Sequence, residues 1–204
     1  MKLTVSHDTL KALLLVAPKK DSRYYLMGAL IDVRENDATL VATDGNVLLS
    51  VPLEEEAIEE RTVGQFIVDR LQLEAVKPTK IGRESLPITI TIGEEGACSV
   101  AGATTSSGKL IDGTYPAWRR PIPATVSGEA GQFDPAYYGL WGDVRALLTG
   151  SSKGHPIIHH NGMAGAARIS RLGRGAIGIM MPLRVDAVDL VADALPAWAR
   201  RLDA

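Results

Sequence analysis

The chain has 204 residues, 46% hydrophobic and 23% charged, which is enough apolar material for one large domain or a domain with part of another. Its formal net charge of -2 argues against a protein that coats nucleic acid by charge alone. The same net charge is compatible with a protein that gathers positive charge on one face and acidic residues on another. The single cysteine, Cys98, excludes an internal disulfide and predicts a cytoplasmic location, and no signal peptide or membrane span of roughly 18 apolar residues is expected.

The first fifty or so residues predict a strand, a helix and three more strands. Residues 3–6 (LTVS) alternate like a strand. An apolar pattern at 9–17 (TLKALLLVA) predicts a helix that Ser6 or Asp8 caps and that stops at Pro18. Three strands follow, the last two joined by an Asp-Gly turn, at 25–33, 39–45 and 46–53.

The same order occurs twice more along the chain. The second copy predicts a strand, a helix and three strands at 64–69, 70–77, 86–93, 97–103 and 104–111. The third copy predicts them at 131–134, 135–150, 155–162, 165–172 and 175–184. A final stretch reads as an amphipathic helix broken near Pro196.

Three copies of one unit of about fifty residues predict an α+β fold with internal repeats. One unit cannot bury both faces of its sheet, but two units packed back to back form a complete two-layer domain. The first two copies therefore predict one domain. The third copy is left as a half-domain, without a partner inside the chain unless the tail helix covers it or another subunit supplies the missing half.

Three segments, in the same order as in the family, resemble the bacterial DNA sliding clamp, the beta subunit of DNA polymerase III. The segment KLIDGTYPAWRRPIP (109–123) resembles the clamp's linker, and DSRYYLMGALIDV (21–33) with LVATDGNVLL (40–49) resembles its middle domain. The segment IGIMMPLR (177–184) resembles its final strand. The clamp's first domain and the first half of its last domain have no counterpart here, so the family's ring contact is not implied.

This resemblance implies a division of the chain into four parts. They are a clamp-type domain at 1–111, a linker at 112–130, half a clamp-type domain at 131–185 and a helical tail at 186–204. It also implies a homo-oligomer without cofactor or metal that does not associate with membranes.

The resemblance further implies a cleft between the middle and last domains into which partner proteins insert a short apolar peptide. Leucine, methionine and proline would give an adaptable apolar floor, and arginines at the rim would bond peptide carbonyls or a carboxylate. Asn46 and Val47 depart from the family, which has a larger polar pair there. The matching cleft residues are Leu26, Thr43, Gly45, Leu48, Pro116, Arg120, Ile179, Met181, Pro182, Leu183 and Arg184.

A second surface implied by the resemblance meets the DNA backbone without reading sequence. Lysines and arginines would neutralise phosphates, and tyrosines would stack on exposed nucleotides. The third helix is poor in basic residues, with Arg145 opposed by Asp143. The residues expected to contact DNA are Lys11, Lys19, Lys20, Arg23, Tyr24, Tyr25, Arg70 and Lys77.

The predicted function is that of a non-enzymatic processivity factor in DNA replication. It would hold DNA polymerase, clamp loader or repair proteins on double-stranded DNA through their clamp-binding peptides. One alternative is a clamp-derived peptide-binding module or decoy that does not encircle DNA. Another is an enzyme with a site at His155, His159 and His160, although adjacent strand residues such as His159 and His160 point to opposite faces and cannot easily share a metal.

Overall fold

The structure, a computed structural model, describes residues 1–82 and 84–184. Its helices are His7–Val16 (α1), Arg70–Ala75 (α2) and Pro135–Thr149 (α3). Its strands are Lys2–Val5 (β1), Gly28–Val33 (β2), Ala38–Thr43 (β3), Val47–Pro52 (β4), Ile58–Glu59 (β5), Gly64–Asp69 (β6), Lys80–Ile81 (β7), Glu84–Ser85 (β8), Ile88–Ile92 (β9), Ala97–Ala101 (β10), Thr105–Lys109 (β11), Ile157–His159 (β12), Ala167–Ser170 (β13) and Ile177–Met180 (β14). These elements confirm the predicted α+β class.

The strands form two large antiparallel sheets and a small hairpin. One sheet has the order β11-β10-β9-β1-β5, and the other has the order β12-β13-β14-β4-β3-β2-β6. We call β1, α1 and β2–β4 the first unit, β6, α2 and β9–β11 the second unit, and α3 with β12–β14 the third unit. Three repeats of one strand and helix pattern therefore account for nearly all of the described elements.

The first two units exchange strands. β1 leaves the first unit and pairs with β9 of the second, from Lys2↔Thr91 to Val5↔Ile88. In return β6 leaves the second unit and pairs with β2 of the first along six residue pairs. Each exchanged strand lies directly before the helix of its own unit, so the exchange is reciprocal and places side chains of both units in one apolar core.

The third unit joins the first unit edge to edge. β14 pairs with β4 in antiparallel register, from Ile177↔Ser50 to Met180↔Val47, and this pairing makes one continuous seven-stranded sheet. Beneath the sheet α3 lies against α1. The sequence left the third unit without a partner inside the chain, whereas the structure gives it this neighbour on one edge.

Capping residues set where each helix begins. Before α1 the Ser6 hydroxyl accepts a hydrogen bond from the Thr9 amide at 3.1 Å, and before α2 the Asp69 carboxylate accepts one from the Leu71 amide at 2.6 Å. Asp134 accepts the Ala136 amide at 2.9 Å before α3, whose first residue is a proline. Gly150, with a φ of 67°, ends α3 in the left-handed conformation that glycine adopts without strain.

Two predicted strands differ from the structure. Residues 25 and 26, expected at the start of a strand, lie in the short 3-10 helix Tyr24–Leu26, in which the Leu26 amide donates to the Arg23 carbonyl. Residues 131–134 form no strand and bond instead to other segments of the same unit, where the Leu183 amide donates to the Gln132 carbonyl at 2.7 Å. The predicted tail helix lies outside the described residues.

Cys98 lies in β10 with its side chain in the core, 4% exposed. Burial raises the pKa of its thiol to about 11, so the thiol is neutral at physiological pH. Across the described ranges we find no helix long and apolar enough to cross a membrane.

Candidate functional site

A second apolar cluster lies where the first and third units meet. It contains Leu26, Leu48 and Ile179 of the predicted cleft, together with Tyr115 and Trp118 of the linker. Leu48 and Ile179 are directly opposite each other on β4 and β14. The structure thus brings three of the predicted residues together from separate parts of the chain. All three are nearly inaccessible, with Leu48 only 4% exposed.

The residues that follow β14 form an exposed edge beside this cluster. Met181 is 37% and Leu183 is 45% exposed, and Arg184 is exposed as well, whereas Pro182 is half-buried. The Met181 amide donates to the Asn46 carbonyl at 2.8 Å, which places this edge next to the turn between β3 and β4. Apolar side chains at the seam are therefore accessible even though the residues beneath them are not.

Thr43 and Gly45 belong to that turn. The Thr43 hydroxyl donates to the Val47 carbonyl at 2.6 Å and accepts the Gly45 amide at 3.0 Å. Gly45 has a φ of 96°, and a Cβ there would lie 2.7 Å from a guanidinium nitrogen of Arg23. The positive φ favours glycine at this position, and the two bonds of Thr43 hold the shape of the turn.

Pro116 and Arg120 are exposed and line a cavity of about 430 Å³. Its lining also includes Arg34 and Gln65, but none of Leu48, Ile179 and Met181. Tyr115 belongs both to this cavity and to the buried cluster. The predicted cleft residues consequently occupy three places, which are a buried floor, an exposed edge after β14 and a groove along the linker.

A polar anchor that the sequence did not predict fixes the linker. Trp118 donates its indole N–H to the Asp32 carboxylate at 2.8 Å, and Arg119 bonds the same carboxylate. A second nitrogen of Arg119 lies 3.1 Å from Asp37, and its guanidinium sits 4.0 Å from the centroid of the Trp118 ring. The available signal was Asp32 itself, a lone carboxylate in the apolar run GALIDV.

Four lysines of the predicted DNA surface, Lys11, Lys19, Lys20 and Lys77, are exposed. Two of them, Lys11 and Lys19, line a cavity of about 570 Å³ at the end of α1. The same cavity contains the acidic side chains of Asp44 and Glu74, so it is not a purely positive surface.

Arg23, Tyr24 and Tyr25 are held by local contacts. Arg23 donates to Asp21 at 3.0 and 2.7 Å, and these hydrogen bonds hold the pKa of the Asp21 carboxyl down at about 2. The Tyr24 hydroxyl donates to the Asp112 carbonyl at 2.9 Å, and the Tyr24 and Tyr25 rings meet edge to face. Tyr24 is half exposed, whereas Arg23 already has a carboxylate partner.

The structure contradicts the prediction that Arg70 contacts DNA. The residue is only 7% exposed and donates to the carbonyls of Leu14 and Ala17 at the end of α1. Its second terminal nitrogen forms a 2.7 Å ion pair with Glu74. Arg70 therefore satisfies the last carbonyls of a helix whose own sequence places no base there.

Two histidines of the His-rich strand are held by local contacts. His159 bonds the Ser170 hydroxyl at 2.7 Å, and the His160 ring packs 5.6 Å from Phe133. Within residues 1–82 and 84–184 no three His, Cys, Asp or Glu side chains cluster in a way that would hold a metal ion.

Repeated strand and helix units with exchanged strands and a continuous sheet across the seam define a DNA-clamp-type fold. The family model for the DNA polymerase III beta subunit, central domain, matches residues 4–117, and the chain belongs to this family. The beta sliding clamp of Pseudomonas putida is 31% identical over 109 residues, which are 52% of this chain and 28% of the relative. That of Salmonella typhimurium is 33% identical over 106 residues, 51% of this chain and 28% of the relative. The chain thus matches only about a quarter of each curated clamp.

Solved structures extend the likeness of fold to the third unit. The Pseudomonas aeruginosa sliding clamp superposes with a TM-score of 0.63 at 17% identity, covering 91% of this chain and 66% of that one. The Caulobacter crescentus polymerase III beta subunit gives a TM-score of 0.63 at 18% identity, and the match covers 90% of this chain and 66% of that one. A Helicobacter pylori beta clamp bound to a DNA ligase peptide gives a TM-score of 0.61 at 14% identity, and the match covers 90% of this chain and 65% of that one. The chain covers slightly less than two thirds of each.

Proposed function

We propose that this chain is a sliding-clamp-like processivity and adaptor protein, not an enzyme, that tethers polymerase, clamp loader or repair partners to DNA by binding their peptides. One observation carries the proposal. Leu26, Leu48 and Ile179 come from both sides of the β4–β14 seam into one apolar cluster, and Met181 and Leu183 stand exposed at its edge. An adaptor needs an accessible apolar edge next to a preformed floor, and this seam supplies both.

A peptide would bind by packing its apolar side chains against Met181 and Leu183 at the edge of the cluster. Methionine suits this role because its unbranched side chain repacks around different ligands. Arg120 and Arg184 are both exposed, and their guanidinium groups can bond the carbonyls or a carboxylate of the bound peptide. The fixed turn at Thr43 and Gly45 gives this edge a rigid neighbour, which lowers the entropy lost on binding.

Replacing Met181 by alanine is expected to weaken peptide binding about tenfold, or roughly 1.4 kcal/mol, because it removes an anchoring side chain at the seam. The probe is a fluorescently labelled DNA ligase peptide of the kind bound by the Helicobacter pylori clamp, followed by fluorescence anisotropy. Leu48→Ala is expected to weaken binding as well.

The matched control is Leu71→Ala, since Leu71 is 73% exposed on α2 and lies outside both apolar clusters. Its affinity is expected to equal that of the unmodified chain. Equal affinity for all three variants, or a chain that does not bind the peptide at all, would show that the seam is not a peptide site.

The DNA contact in this proposal rests on the exposed lysines. Phosphate contacts from Lys11, Lys19, Lys20 and Lys77 would be weak, mobile and independent of sequence, as a sliding protein requires.

A second candidate function is a clamp-derived peptide-binding module that does not encircle DNA. It is favoured by the burial of Arg70 and by the composition of α3. The only basic residue in α3 is Arg145, which is half-buried and donates to the Ser151 carbonyl, while Asp143 is exposed. Two of the three helices in the described ranges thus have fewer free cations than a DNA-facing surface needs.

Retention on circular DNA separates the two functions. A ring-forming clamp, loaded on nicked plasmid by a bacterial clamp loader with ATP, is expected to survive a high-salt wash and to be lost once the plasmid is linearised. A wash in high salt removes proteins bound only by charge, so it serves as the control. Loss from circular and linear DNA alike would favour the module that does not encircle DNA.

A further inference from the structure

We propose that the groove along the linker binds acidic side chains that flank the apolar motif of a partner peptide. This groove is the cavity of about 430 Å³ that Pro116 and Arg120 line. The inference rests on the proposed function, because it states which peptides the seam would prefer. It adds Arg34, which is not one of the predicted cleft residues, as a residue that determines specificity.

The lining of the linker groove is cationic. It contains the guanidinium groups of Arg34, Arg119 and Arg120, and no acidic side chain of residues 1–82 and 84–184 lines it. The exposed side chains of Thr114 and Gln65 add neutral hydrogen-bond donors. A guanidinium group presents its N–H donors in a planar fork that matches the two oxygens of a carboxylate. The lining therefore fits aspartate and glutamate side chains.

Arg34 and Arg120 are the two arginines available to a ligand. Both are exposed, and neither side chain donates a hydrogen bond to another described residue. The Nε atom of Arg34 lies 3.9 Å from the Asp32 carboxylate, which is beyond hydrogen-bonding distance. A carboxylate that enters the groove consequently finds N–H donors that the protein does not already use.

Arg119 contributes shape to the groove more than charge. Its guanidinium group bonds Asp32, lies 3.1 Å from Asp37 and sits 4.0 Å from the centroid of the Trp118 ring. The two carboxylates offset its positive charge, and the three contacts hold it in one position. The attraction for an acidic ligand thus comes chiefly from the two exposed arginines.

The linker groove and the apolar cluster at the seam lie on the same face of the seven-stranded sheet. Leu30 and Asp32 are two positions apart on β2 and pair with Ile67 and Gln65 of β6. The first of these pairs belongs to the apolar cluster, and Gln65 lines the groove. Tyr115 belongs to both. One extended ligand on this face can therefore contact the seam and the groove together.

A short flanking segment is enough to connect the two places. The seam lies between β14 and β4, the groove lies at β2 and β6, and β3 separates them. Neighbouring strands are about 4.8 Å apart, which makes the separation roughly 15 Å. An extended peptide rises about 3.3 Å per residue and covers this distance in about five residues.

DNA phosphate is the other anion that a clamp-like protein would meet, and the geometry disfavours it here. Ile31 alternates with Leu30 on β2 and packs in the main core with Leu13 of α1, so α1 lies on the opposite face of the sheet. The exposed Lys11, one of the predicted DNA contacts, is on that helix. The groove is on the linker side, where a bound peptide would lie.

Three peptides test the inference with the full chain in a fluorescence anisotropy titration. Each carries the DNA ligase motif of the kind bound by the Helicobacter pylori clamp, and a tract of glutamate, glutamine or lysine about five residues away. The tract is placed on the amino side in one set and on the carboxyl side in another, to cover both directions of binding. We expect the glutamate peptide to bind about five times more tightly than the glutamine peptide in one set, and the difference to disappear in high salt.

Variants of Arg34 assign this preference to the groove. Arg34→Gln is expected to bind the glutamate and glutamine peptides equally, with an unchanged affinity for the glutamine peptide that shows the seam to be intact. Arg34→Glu is expected to reverse the preference and favour the lysine peptide. The matched control is Arg171→Gln, since Arg171 is exposed and belongs neither to the groove nor to the apolar cluster. It should keep the preference for glutamate.

The possible failures of the inference and of the proposed function are distinct. Equal binding of the three peptides in both sets, or a glutamate preference that survives in Arg34→Gln, would overturn the inference and leave peptide binding at the seam intact. If none of the peptides bound, both would be wrong. A short DNA duplex is titrated in parallel. If Arg34→Gln weakened duplex binding and left the glutamate peptide unaffected, the groove would be a phosphate site and the inference would fail.

Discussion

Replacing Trp141 by alanine is expected to lower the free energy of unfolding by roughly 3–5 kcal/mol, because it opens a large cavity in the core of the third unit. Trp141 is fully buried on α3 and packs directly on Gly178 of β14. A Cβ at Gly178 would lie only 2.5 Å from a ring carbon of Trp141, so the indole and the glycine fit without space for relaxation. The indole N–H has no hydrogen-bond partner among the described residues, and alanine therefore removes packing alone.

Chemical denaturation followed by circular dichroism measures this loss. Tyr138→Ala is the matched control, since it lies on the same helix with its side chain 45% exposed, and a change below about 1 kcal/mol is expected. If Trp141→Ala changed stability no more than the control does, the contact between α3 and β14 would not hold the third unit together.

The local elements followed from the sequence because each depends on residues close together in the chain. The apolar pattern at 9–17 predicted a helix and the run at 86–93 predicted a strand, and the structure confirms both as His7–Val16 and Ile88–Ile92. The strand exchange did not follow, since β1 and β6 alternate in the same way whether they pair within their own unit or with the other. Pairing of β14 with β4 joins residues more than a hundred positions apart, and no local pattern determines that register.

The candidate site was predicted only in part, for the same reason. The resemblance placed Leu48 and Ile179 in one cleft, and the structure brings them together, but their burial depends on how Tyr115 and Trp118 fold over them. Arg70 was assigned to DNA because the resemblance implies a surface of helices and loops that meets the DNA backbone, and Arg70 begins the second helix. Its contacts with α1 arise from tertiary packing, which its neighbours in the sequence do not reveal.

Replacing Asp32 by alanine is expected to lower the free energy of unfolding by roughly 2–3 kcal/mol, because it leaves the Trp118 N–H buried without an acceptor. Asp32 is 3% exposed and accepts from both Trp118 and Arg119. The loss of the ion pair adds less than a fully buried pair would, since the Arg119 side chain is 32% exposed and water can solvate it. Urea denaturation followed by tryptophan fluorescence measures the change.

Two further variants separate the hydrogen bond from the charge. Asp32→Asn keeps an oxygen acceptor for Trp118 but no charge for Arg119, so its loss should lie between those of alanine and the unmodified chain. Asp37→Ala removes the other carboxylate partner of Arg119. Because the Asp37 side chain is 57% exposed, this change should lower the free energy of unfolding by less than about 1 kcal/mol. If Asp37→Ala cost as much as Asp32→Ala, the charge of Arg119 would anchor the linker, and Trp118 would not. If instead the loss of stability is largest for Asp32→Ala, smaller for Asp32→Asn and smallest for Asp37→Ala, the buried hydrogen bond holds the linker over Leu48. The same bond then shapes the seam at which we propose that peptides bind.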